Sequence, residues 1–426
     1  MRNGRPVYDV SIVTPSYIAA TPRVVREADA LTTAGYRVRV IFSQGDLAHV
    51  RHHDELLLQD KPWQWHAVRW ARGRVEERGR YWRSTLRYQI ARRLPELLWA
   101  WGGVAERGEG RLYPELARAA AAEPARLFIG HYPIGLAAAA FAASAWKGQL
   151  GYDAEDLHTG ELPLTPAGQR QTRRIALIEG KYLPRCGHIT AASAGIAQAL
   201  RDRYGVPLPV AIHNTYPLAD RQTLDGQCKD RRGAALSLYW FSQTIGLDRG
   251  LQDVIRAAGL LPLPVQIHLR GSLSPTVRTE LEALARESGV TDSLFFHPQV
   301  PPLELLSRAV EHDVGLALEL DHTPSRALSV TNKLFLYLLA GLAVAVTDVP
   351  GQHRILDSCL QAGFLYRRGD AQTLAARLAQ WQRDPQTLQA SKDAALQAAQ
   401  TTWHWERESQ HLIRSVASIL SGESLL

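Results

Sequence analysis

The stretch SVTNKLFLYLLAGLAVAV, residues 329–346, indicates the fold of the second half of the chain. Its small polar residues favour a helix N-terminus, which either Ser329 or Thr331 can cap. Gly341 ends the helix, and the apolar run after it is typical of a buried strand. The front carries Lys333 and no acid, so its N–H groups and dipole suit an anion such as a phosphate. An ordinary cap beside a surface lysine is the alternative.

The same alternation of strand and helix runs through the whole chain. It begins with the strand YDVSIVTPS, residues 8–16, and restarts after the polar stretch 218–232. This pattern predicts an α/β protein with two Rossmann-like, doubly wound parallel-sheet domains facing across a cleft. The predicted domains are 1–218 and 219–395, and the C-terminal helix 396–426 is expected to pack back towards the first. Ligands bind outside the carboxyl ends of such sheets.

The amino-acid composition limits which class of protein this is and which partners it is expected to bind. The chain has 426 residues, 46% of them hydrophobic, which is typical of a globular protein. A formal charge of +7 favours anionic partners, but no RNA-binding motif or zinc knuckle supports nucleic acid. The second half has no apolar run of ~20 residues, and the N-terminus does not resemble a signal peptide. With only three scattered cysteines, we expect a cytoplasmic protein.

The segment 72–101 is basic and amphipathic. It holds eight arginines between Arg72 and Arg93. Six apolar residues recur among them at helical spacing: Trp82, Leu86, Ile90, Leu94, Leu97 and Trp101. This stripe predicts either a surface helix whose apolar side lies in the core, or an interfacial helix on an anionic membrane.

Two further loops of the second domain are candidates for binding phosphate. SQTIGLDRG, residues 242–250, lies between a strand and a helix, and its glycines allow close approach of the backbone. Arg249 can clamp a diphosphate there. The loop RGSLSP, residues 270–275, has Gly271 after another strand. Three glycine-bearing loops in one domain indicate a nucleotide site more strongly than any one of them alone.

Four segments together resemble the family 4 glycosyltransferases of the GT-B fold. ATPRVVREADALTTAGYRVRVI, residues 20–41, is similar to the entry segment of that family, and YDAEDL, residues 152–157, to its acidic loop. SLYWFSQTIGLDRGLQDVIRAA, residues 237–258, resembles the start of its donor domain. SVTNKLFLYLLAGLAVAVTDVPG, residues 329–351, resembles its donor helix. The resemblance runs from about Val10 to about Trp405.

The resemblance implies sugar transfer from a UDP- or GDP-linked donor to an acceptor hydroxyl, with retention of configuration and without a metal or other cofactor. It implies catalytic roles for His131, Arg249 and Lys333. The donor site it implies comprises Gln243, Thr244, Gly246, Arg270, Gly271, Glu319, Ser329, Val330, Thr331 and Asn332. The acceptor site it implies comprises Thr21, Pro22, Arg23, Asp153, Glu155 and Asp156. The expected partners are a glycan or lipid-linked acceptor and, through 72–101, an anionic membrane at its inner face, but no nucleic acid.

The chain departs from the family at several positions. Leu328 and Leu336 replace two glutamates that many relatives use around the donor, and Glu319 is the nearest acid upstream. Gln243 replaces an arginine, and Glu155 a histidine. These departures keep two other functions open: a nucleotide-sugar epimerase of the same fold, and a non-catalytic protein that binds nucleotide sugars or glycans.

An acidic loop follows the strand that ends near Asp153. It carries Glu155, Asp156, His158 and Glu161 as well. These side chains can bind a divalent metal, contact the acceptor or lie in solvent. Because their spacing matches no recurrent metal motif, we predict that the site holds no metal.

Overall fold

The computed structural model describes residues 7–422. Within that range the strands are β1 Tyr8–Val13, β2 Val38–Gln44, β3 Gln64–Arg69, β4 Ala125–His131, β5 Gln149–Ala154, β6 His188–Ala191, β7 Val210–Ala211, β8 Leu236–Thr244, β9 Val265–Ser272, β10 Leu294–His297, β11 Val314–Ala317, β12 Ala343–Thr347 and β13 Gly363–Tyr366. The chain divides into two compact units. The first runs up to Ile212 and resumes at Ser409, and the second is His213–Glu408.

Helices connect the strands in both units. They are α1 Pro22–Thr33, α2 Ala48–Leu58, α3 Val75–Arg93, α4 Val104–Glu109, α5 Tyr113–Ala120, α6 Tyr132–Trp146, α7 Pro166–Tyr182, α8 Ala194–Tyr204, α9 Leu251–Gly259, α10 Pro275–Glu287, α11 Pro302–Ala309, α12 Pro324–Leu328, α13 Asn332–Ala340, α14 Pro350–Asp357, α15 Ala371–Arg383, α16 Pro385–Thr401 and α17 Trp405–Ser421. Many begin with proline, whose fixed φ suits the first turn and whose missing N–H costs nothing there.

Both sheets are parallel throughout their described strands. The order in the first unit is β3-β2-β1-β4-β5-β6-β7, and in the second it is β10-β9-β8-β11-β12-β13. Each order reverses at its centre, between β1 and β4 and between β8 and β11. The two Rossmann-like sheets predicted from the sequence are therefore confirmed. In each sheet the carboxyl ends of all strands lie at one edge, where such folds bind ligands.

Apolar residues cover both faces of the second sheet. Trp240 belongs to the core on one face, and Tyr239 and Tyr337 belong to the core on the other. Helix α13 buries nearly its whole length there, including Leu336, which is 2% exposed. A glutamate at this position would lie in an apolar core, so the leucine fits the packing of this chain.

The turn from β4 into α6 is unusually tight. A Cβ on Gly135 would lie 2.4 Å from the carbonyl oxygen of Val13, and a Cβ on Gly130 would lie 2.2 Å from the backbone nitrogen of Leu136. Between these glycines, Tyr132 adopts a φ of 62°, which is costly for a bulky side chain. The first turn of α6 is thereby held close against the carboxyl edge of the first sheet.

The basic segment does not form one helix. Helix α3 ends at Arg93 because Pro95 excludes helical geometry at Leu94, whose φ and ψ are −61° and 142°. Five apolar side chains of the segment 72–101 are at least half exposed: Trp82, Leu86 and Ile90 on α3, and Leu97 and Trp101 beyond it. The expectation that this stripe lies in the core is wrong for these five. In residues 7–422, no helix combines the length and the apolarity needed to cross a bilayer.

Candidate active site

The N-terminus of α13 lies at the carboxyl edge of the second sheet, beside the end of β11. The Lys333 ammonium is 3.0 Å from the carboxylate of Glu319 and 3.3 Å from Oγ1 of Thr331. Burial tends to raise the pKa of Glu319, but the charge of Lys333 outweighs it and the net pKa is lowered. The lowered pKa favours the ionised form of Glu319, which holds the lysine in place.

The cap of α13 differs from the sequence expectation. Thr331 is the N-cap residue, but among the described residues its side chain makes no capping hydrogen bond to α13. Ser329 does not cap α13 either: it lies two residues before the N-cap residue, and its hydroxyl donates to the carbonyl of Ser325 at 2.8 Å, at the end of the preceding helix, α12. The N–H groups of the first turn of α13 thus have no side-chain cap, which favours an anion there.

A second cation lies on the loop after β8. Arg249 ends a short 3-10 turn, Leu247–Arg249, and its side chain is 27% exposed. Its Nε is 3.5 Å from Asp248. Gly250 follows with a φ of 73°, and a Cβ on it would lie 3.1 Å from Cβ of Leu318. The loop that bears Arg249 therefore packs directly against the segment that bears Glu319.

Other predicted donor residues shape this edge. Arg270 is 3% exposed and donates to the hydroxyl of Tyr239, the carbonyl of Pro298 and the carboxylate of Asp230, so it is a structural residue here.

Gly271 has a φ of 154°, and a Cβ on it would lie 2.6 Å from the carbonyl oxygen of Ser242. Three predicted side chains are exposed, Gln243, Thr244 and Asn332, whereas Val330 is half-buried. A Cβ on Gly246 would lie 2.7 Å from Asp248.

A buried ionic network occupies the carboxyl edge of the first sheet. Arg23 makes two hydrogen bonds to Asp153, of 2.6 and 2.7 Å, and donates to the carbonyl of Ile212 at 2.7 Å. His131 is completely buried at the end of β4, with Nε2 2.6 Å from Glu27 and Nδ1 3.3 Å from Asp153. The family resemblance implies a catalytic role for His131; in this structure its ring contacts the two carboxylates.

Charge pairing decides the ionisation of this network. Burial would raise the pKa of Asp153, but Arg23 and then His131 outweigh burial and hold it well below its usual range. Burial would lower the pKa of His131, but Asp153 and Glu27 together raise it. Asp153 and His131 therefore favour their charged forms, and their contacts with Arg23 and Glu27 fix α1 on the sheet.

The remaining predicted acceptor residues surround this network. Thr21 is buried, and its hydroxyl donates to the carbonyls of Tyr17 and Ile18, while Pro22 begins α1. Glu155 and Asp156 are half-buried after β5. Across residues 7–422, no group of three or more His, Cys, Asp or Glu side chains is arranged to hold a metal ion.

A cavity of about 340 Å³ lies in the first unit, and we did not foresee it from the sequence. Its wall is formed by Pro15, Ser43, Trp70, Glu109, Gly110, Arg111, Leu112, Tyr132, Pro133, Ile134, His158, Glu161, Leu162, Gln171 and Ile175. Pro15, Ser43 and Tyr132 lie at or just beyond the ends of β1, β2 and β4. The cavity is therefore at the ligand-binding edge of the sheet. Of these residues, only His158 and Glu161 belong to a motif that we singled out.

Comparison with known proteins supports the architecture. No family model matches the chain, and no curated protein matches its sequence. Among solved structures, sucrose-phosphate synthase from Thermosynechococcus elongatus has a TM-score of 0.67 at 15% identity, over 98% of this chain and 100% of its own. The chain has the GT-B fold.

Two further solved structures are similar to this chain. HepE from Anabaena, in complex with UDP and glucose, has a TM-score of 0.66 at 14% identity, over 96% of this chain and 100% of its own. A putative UDP-N-acetylglucosamine 2-epimerase from Listeria monocytogenes has a TM-score of 0.57 at 10% identity, over 99% of this chain and 100% of its own. At these identities the likeness concerns the fold.

Proposed function

We propose that the protein is a glycosyltransferase that moves a sugar from a UDP- or GDP-linked donor to an acceptor hydroxyl, in the synthesis of a glycan or glycolipid. The observation that carries this proposal is the Lys333–Glu319 pair at the uncapped front of α13. A fixed ammonium, N–H groups without a side-chain cap and the helix dipole converge there, which suits a diphosphate. The GT-B fold and the UDP bound by HepE support the same assignment.

The proposed chemistry depends on the charge of the leaving group. As the glycosidic bond breaks, negative charge grows on the diphosphate. Arg249, Lys333 and the N–H groups of α13 would stabilise that charge, and one such preorganised donor contributes about 3–4 kcal/mol to lowering a barrier. We propose that the sugar keeps its anomeric configuration and that no metal takes part. We propose that His131 is a positioning residue, since its buried ring contacts Glu27 and Asp153.

Product analysis tests this function. The protein is incubated with labelled UDP- and GDP-sugars and a panel of glycan and glycolipid acceptors, with and without a chelator. We expect labelled glycoside with the donor's anomeric configuration, at equal rates in both conditions. Arg249→Ala should reduce turnover about 10²–10³-fold, whereas Arg256→Ala, an exposed change on α9, should not. Wild-type turnover of Arg249→Ala would remove Arg249 from the mechanism.

The same assay distinguishes the two alternatives. An epimerase would release nucleotide and an isomerised sugar without any acceptor. A non-catalytic binding protein would bind the donor and transform nothing, an option raised by the leucines at 328 and 336. Glu319 lies at this edge, bonded to Lys333, and conversion of the bound donor in the assay would favour catalysis over binding alone.

We propose further that α3 docks the protein on the anionic inner face of a membrane, beside a lipid-linked acceptor. Trp82, Leu86 and Ile90 are 52%, 65% and 53% exposed on one helix. Their spacing of four residues puts them on one face. Arginines flank this face, and they complement anionic headgroups. The helix would lie in the interface rather than cross it.

A further inference from the structure

The turn from β12 into α14 carries two polar side chains that are completely buried. Thr347 ends β12, Gln352 belongs to the first turn of α14, and both are 0% exposed. A buried polar group is costly unless its hydrogen bonds are made. The partners of these two side chains therefore show which part of the fold the turn holds in place.

The side-chain amide of Gln352 binds the backbone at the end of β11. Its Nε2 donates to the carbonyl of Ala317 at 3.1 Å, to the carbonyl of Thr347 at 3.3 Å and to Oγ1 of Thr347 at 3.0 Å. Three oxygens surround this end of the amide, and two of them are carbonyls that would repel an amide oxygen. The NH2 group of Gln352 therefore faces β11, with two hydrogens to donate.

The hydroxyl of Thr347 binds the backbone of Glu319. Its oxygen lies 2.7 Å from the carbonyl oxygen of Glu319 and 3.2 Å from that of Ala317. A hydroxyl has one hydrogen, and Ala317 already accepts from Gln352. Because Gln352 also donates to the hydroxyl oxygen, the hydrogen of Thr347 is directed to the nearer carbonyl, that of Glu319. The two side chains thus hold the chain between the end of β11 and Glu319.

The same turn contacts the residues that lead into α13. A Cβ on Gly351 would lie 2.3 Å from the carbonyl oxygen of Ser329 and 2.7 Å from that of Leu328. No side chain larger than hydrogen fits there without moving this backbone. The turn 347–352 therefore contacts both elements that bear the ion pair: the end of β11 with Glu319, and the approach to α13 with Lys333.

We infer that Gln352 and Thr347 are positioning residues of the diphosphate site, which hold Glu319 so that its carboxylate keeps the Lys333 ammonium at the front of α13. The inference rests on the proposed glycosyltransferase function and adds two residues that are buried and act through Glu319. A lysine side chain has several rotatable bonds. An ammonium that is already held in place loses less conformational entropy when a diphosphate binds, so the affinity is higher.

Isothermal titration calorimetry on the full chain tests the inference, with UDP, GDP and inorganic diphosphate as probes. Gln352→Met removes the two amide hydrogens at similar volume, and Thr347→Val removes the hydroxyl at similar shape. Each should weaken binding of the diphosphate probes about three- to tenfold, as expected for the loss of a buried hydrogen bond. Thr347→Ser keeps the hydroxyl and should recover most of the affinity. If Gln352→Met does not fold, the two Thr347 variants decide alone.

The matched control is a glutamine at the other end of the same sheet. Gln382 donates from Nε2 to the carbonyls of Leu263 at 2.9 Å and Pro264 at 3.3 Å, just before β9 begins. Gln382→Met therefore removes the same kind of hydrogen bond away from the carboxyl edge. Its affinity for the diphosphate probes should equal that of the wild type.

A double-mutant cycle separates positioning from general stabilisation of the unit. If Gln352 acts through Lys333, adding Gln352→Met to Lys333→Ala should weaken binding by less than about twofold further. Losses that simply add, equal binding by Gln352→Met and Gln382→Met, or wild-type binding by Thr347→Val would overturn the inference and leave the donor site intact. A wild type that binds none of the three probes, or binding that Lys333→Ala leaves unchanged, would instead refute the diphosphate site itself.

Discussion

The Lys333 ammonium and the Glu319 carboxylate lie 3.0 Å apart, although the residues are separated by a helix and a turn in the sequence. Glu319 follows β11, and Lys333 belongs to the first turn of α13. The two meet because β11 and α13 reach the same edge of the sheet. Thr347 fixes the acidic partner further, since its hydroxyl donates to the carbonyl of Glu319 at 2.7 Å.

Replacing this lysine should impair catalysis specifically. Lys333→Ala removes the cation from the front of α13, so turnover of nucleotide sugar should fall about 10²–10³-fold. Lys392→Ala is the matched control, because Lys392 also pairs with a carboxylate, Asp313 at 3.1 Å, away from this edge. Steady-state kinetics on both variants provide the measurement. Equal turnover in the two would show that Lys333 does not face the leaving group.

The Arg23–Asp153 pair should contribute strongly to stability. Arg23→Ala removes the arginine partner of the buried Asp153 carboxylate, and breaking such a pair costs about 3–5 kcal/mol. Arg37→Ala removes an arginine that is 60% exposed and pairs with Asp9 at 3.3 Å, so it should cost less than about 1 kcal/mol. Urea denaturation followed by circular dichroism measures both. Similar midpoints for the two variants would contradict the structural role given to the network.

Membrane docking should depend on the apolar face of α3. Replacing Trp82, Leu86 and Ile90 together by serine should reduce binding to anionic vesicles at least about tenfold. The side chains are exposed, so the free energy of unfolding should change little, within about 0.5 kcal/mol per site. Vesicle co-sedimentation measures the binding, which should weaken as salt screens the arginines.

The control for this experiment lies in the second unit. Leu260, Leu263 and Leu360 are 56%, 53% and 64% exposed there. Replacing all three by serine removes a similar exposed apolar surface without touching α3. Equal vesicle binding by the two triple variants, or binding of the wild type to neutral vesicles as strong as to anionic ones, would refute docking through α3.

Stability of the second unit should fall in mild acid because of two buried histidines. Burial, followed by the charge of His297, lowers the pKa of His268 to about 4. Burial, followed by His268, lowers that of His312 to about 2. In the unfolded chain both pKa values return to about 6.5, so the unfolded state binds more protons below that pH. The free energy of unfolding should therefore decrease from about pH 6.5 to about pH 4, by up to about 1.4 kcal/mol per pH unit for each histidine.

Two glutamine variants test whether the buried histidines cause the loss of stability in mild acid. His312→Gln removes one histidine with a lowered pKa, so the free energy of unfolding should decrease less steeply as the pH falls. His322→Gln, at an exposed position, should leave the slope as it is in the wild type. Denaturation curves recorded from pH 4 to pH 7 give the slopes, and an unchanged slope in His312→Gln would contradict the prediction.

Local features of the sequence were sufficient to predict the two sheets. The alternation of apolar strands and amphipathic helices has a short period, and caps act within one turn. Pro22 begins α1, and Gly341 ends α13 with a φ of 73°. The details of a cap were less predictable: Ser329 turns back to α12, because helix α12 ends directly before it. Which of two polar residues caps a helix depends on the path of the chain before it.

The features that could not be predicted from the sequence are formed by residues that are distant from one another in the chain. Arg23 and Asp153 are 130 positions apart, and no periodicity indicates that they meet. The acceptor residues named from the family resemblance include both, but the structure shows them paired with each other and buried. The cavity likewise combines the loops after β1, β3 and β5 with parts of β2, α4, α6 and α7, so no single segment signals it.

The sequence by itself determined the strands, the helices and the parallel connection between them, because these depend on residues within a few positions of one another. Only the tertiary structure decided that the apolar side of α3 faces outward, that the ring of His131 is buried against two carboxylates, and that Glu319 holds Lys333. Exposure and pairing depend on which elements pack together. Which elements pack together depends on the total apolar surface buried between segments that are far apart in the chain, and no local pattern of residues shows this.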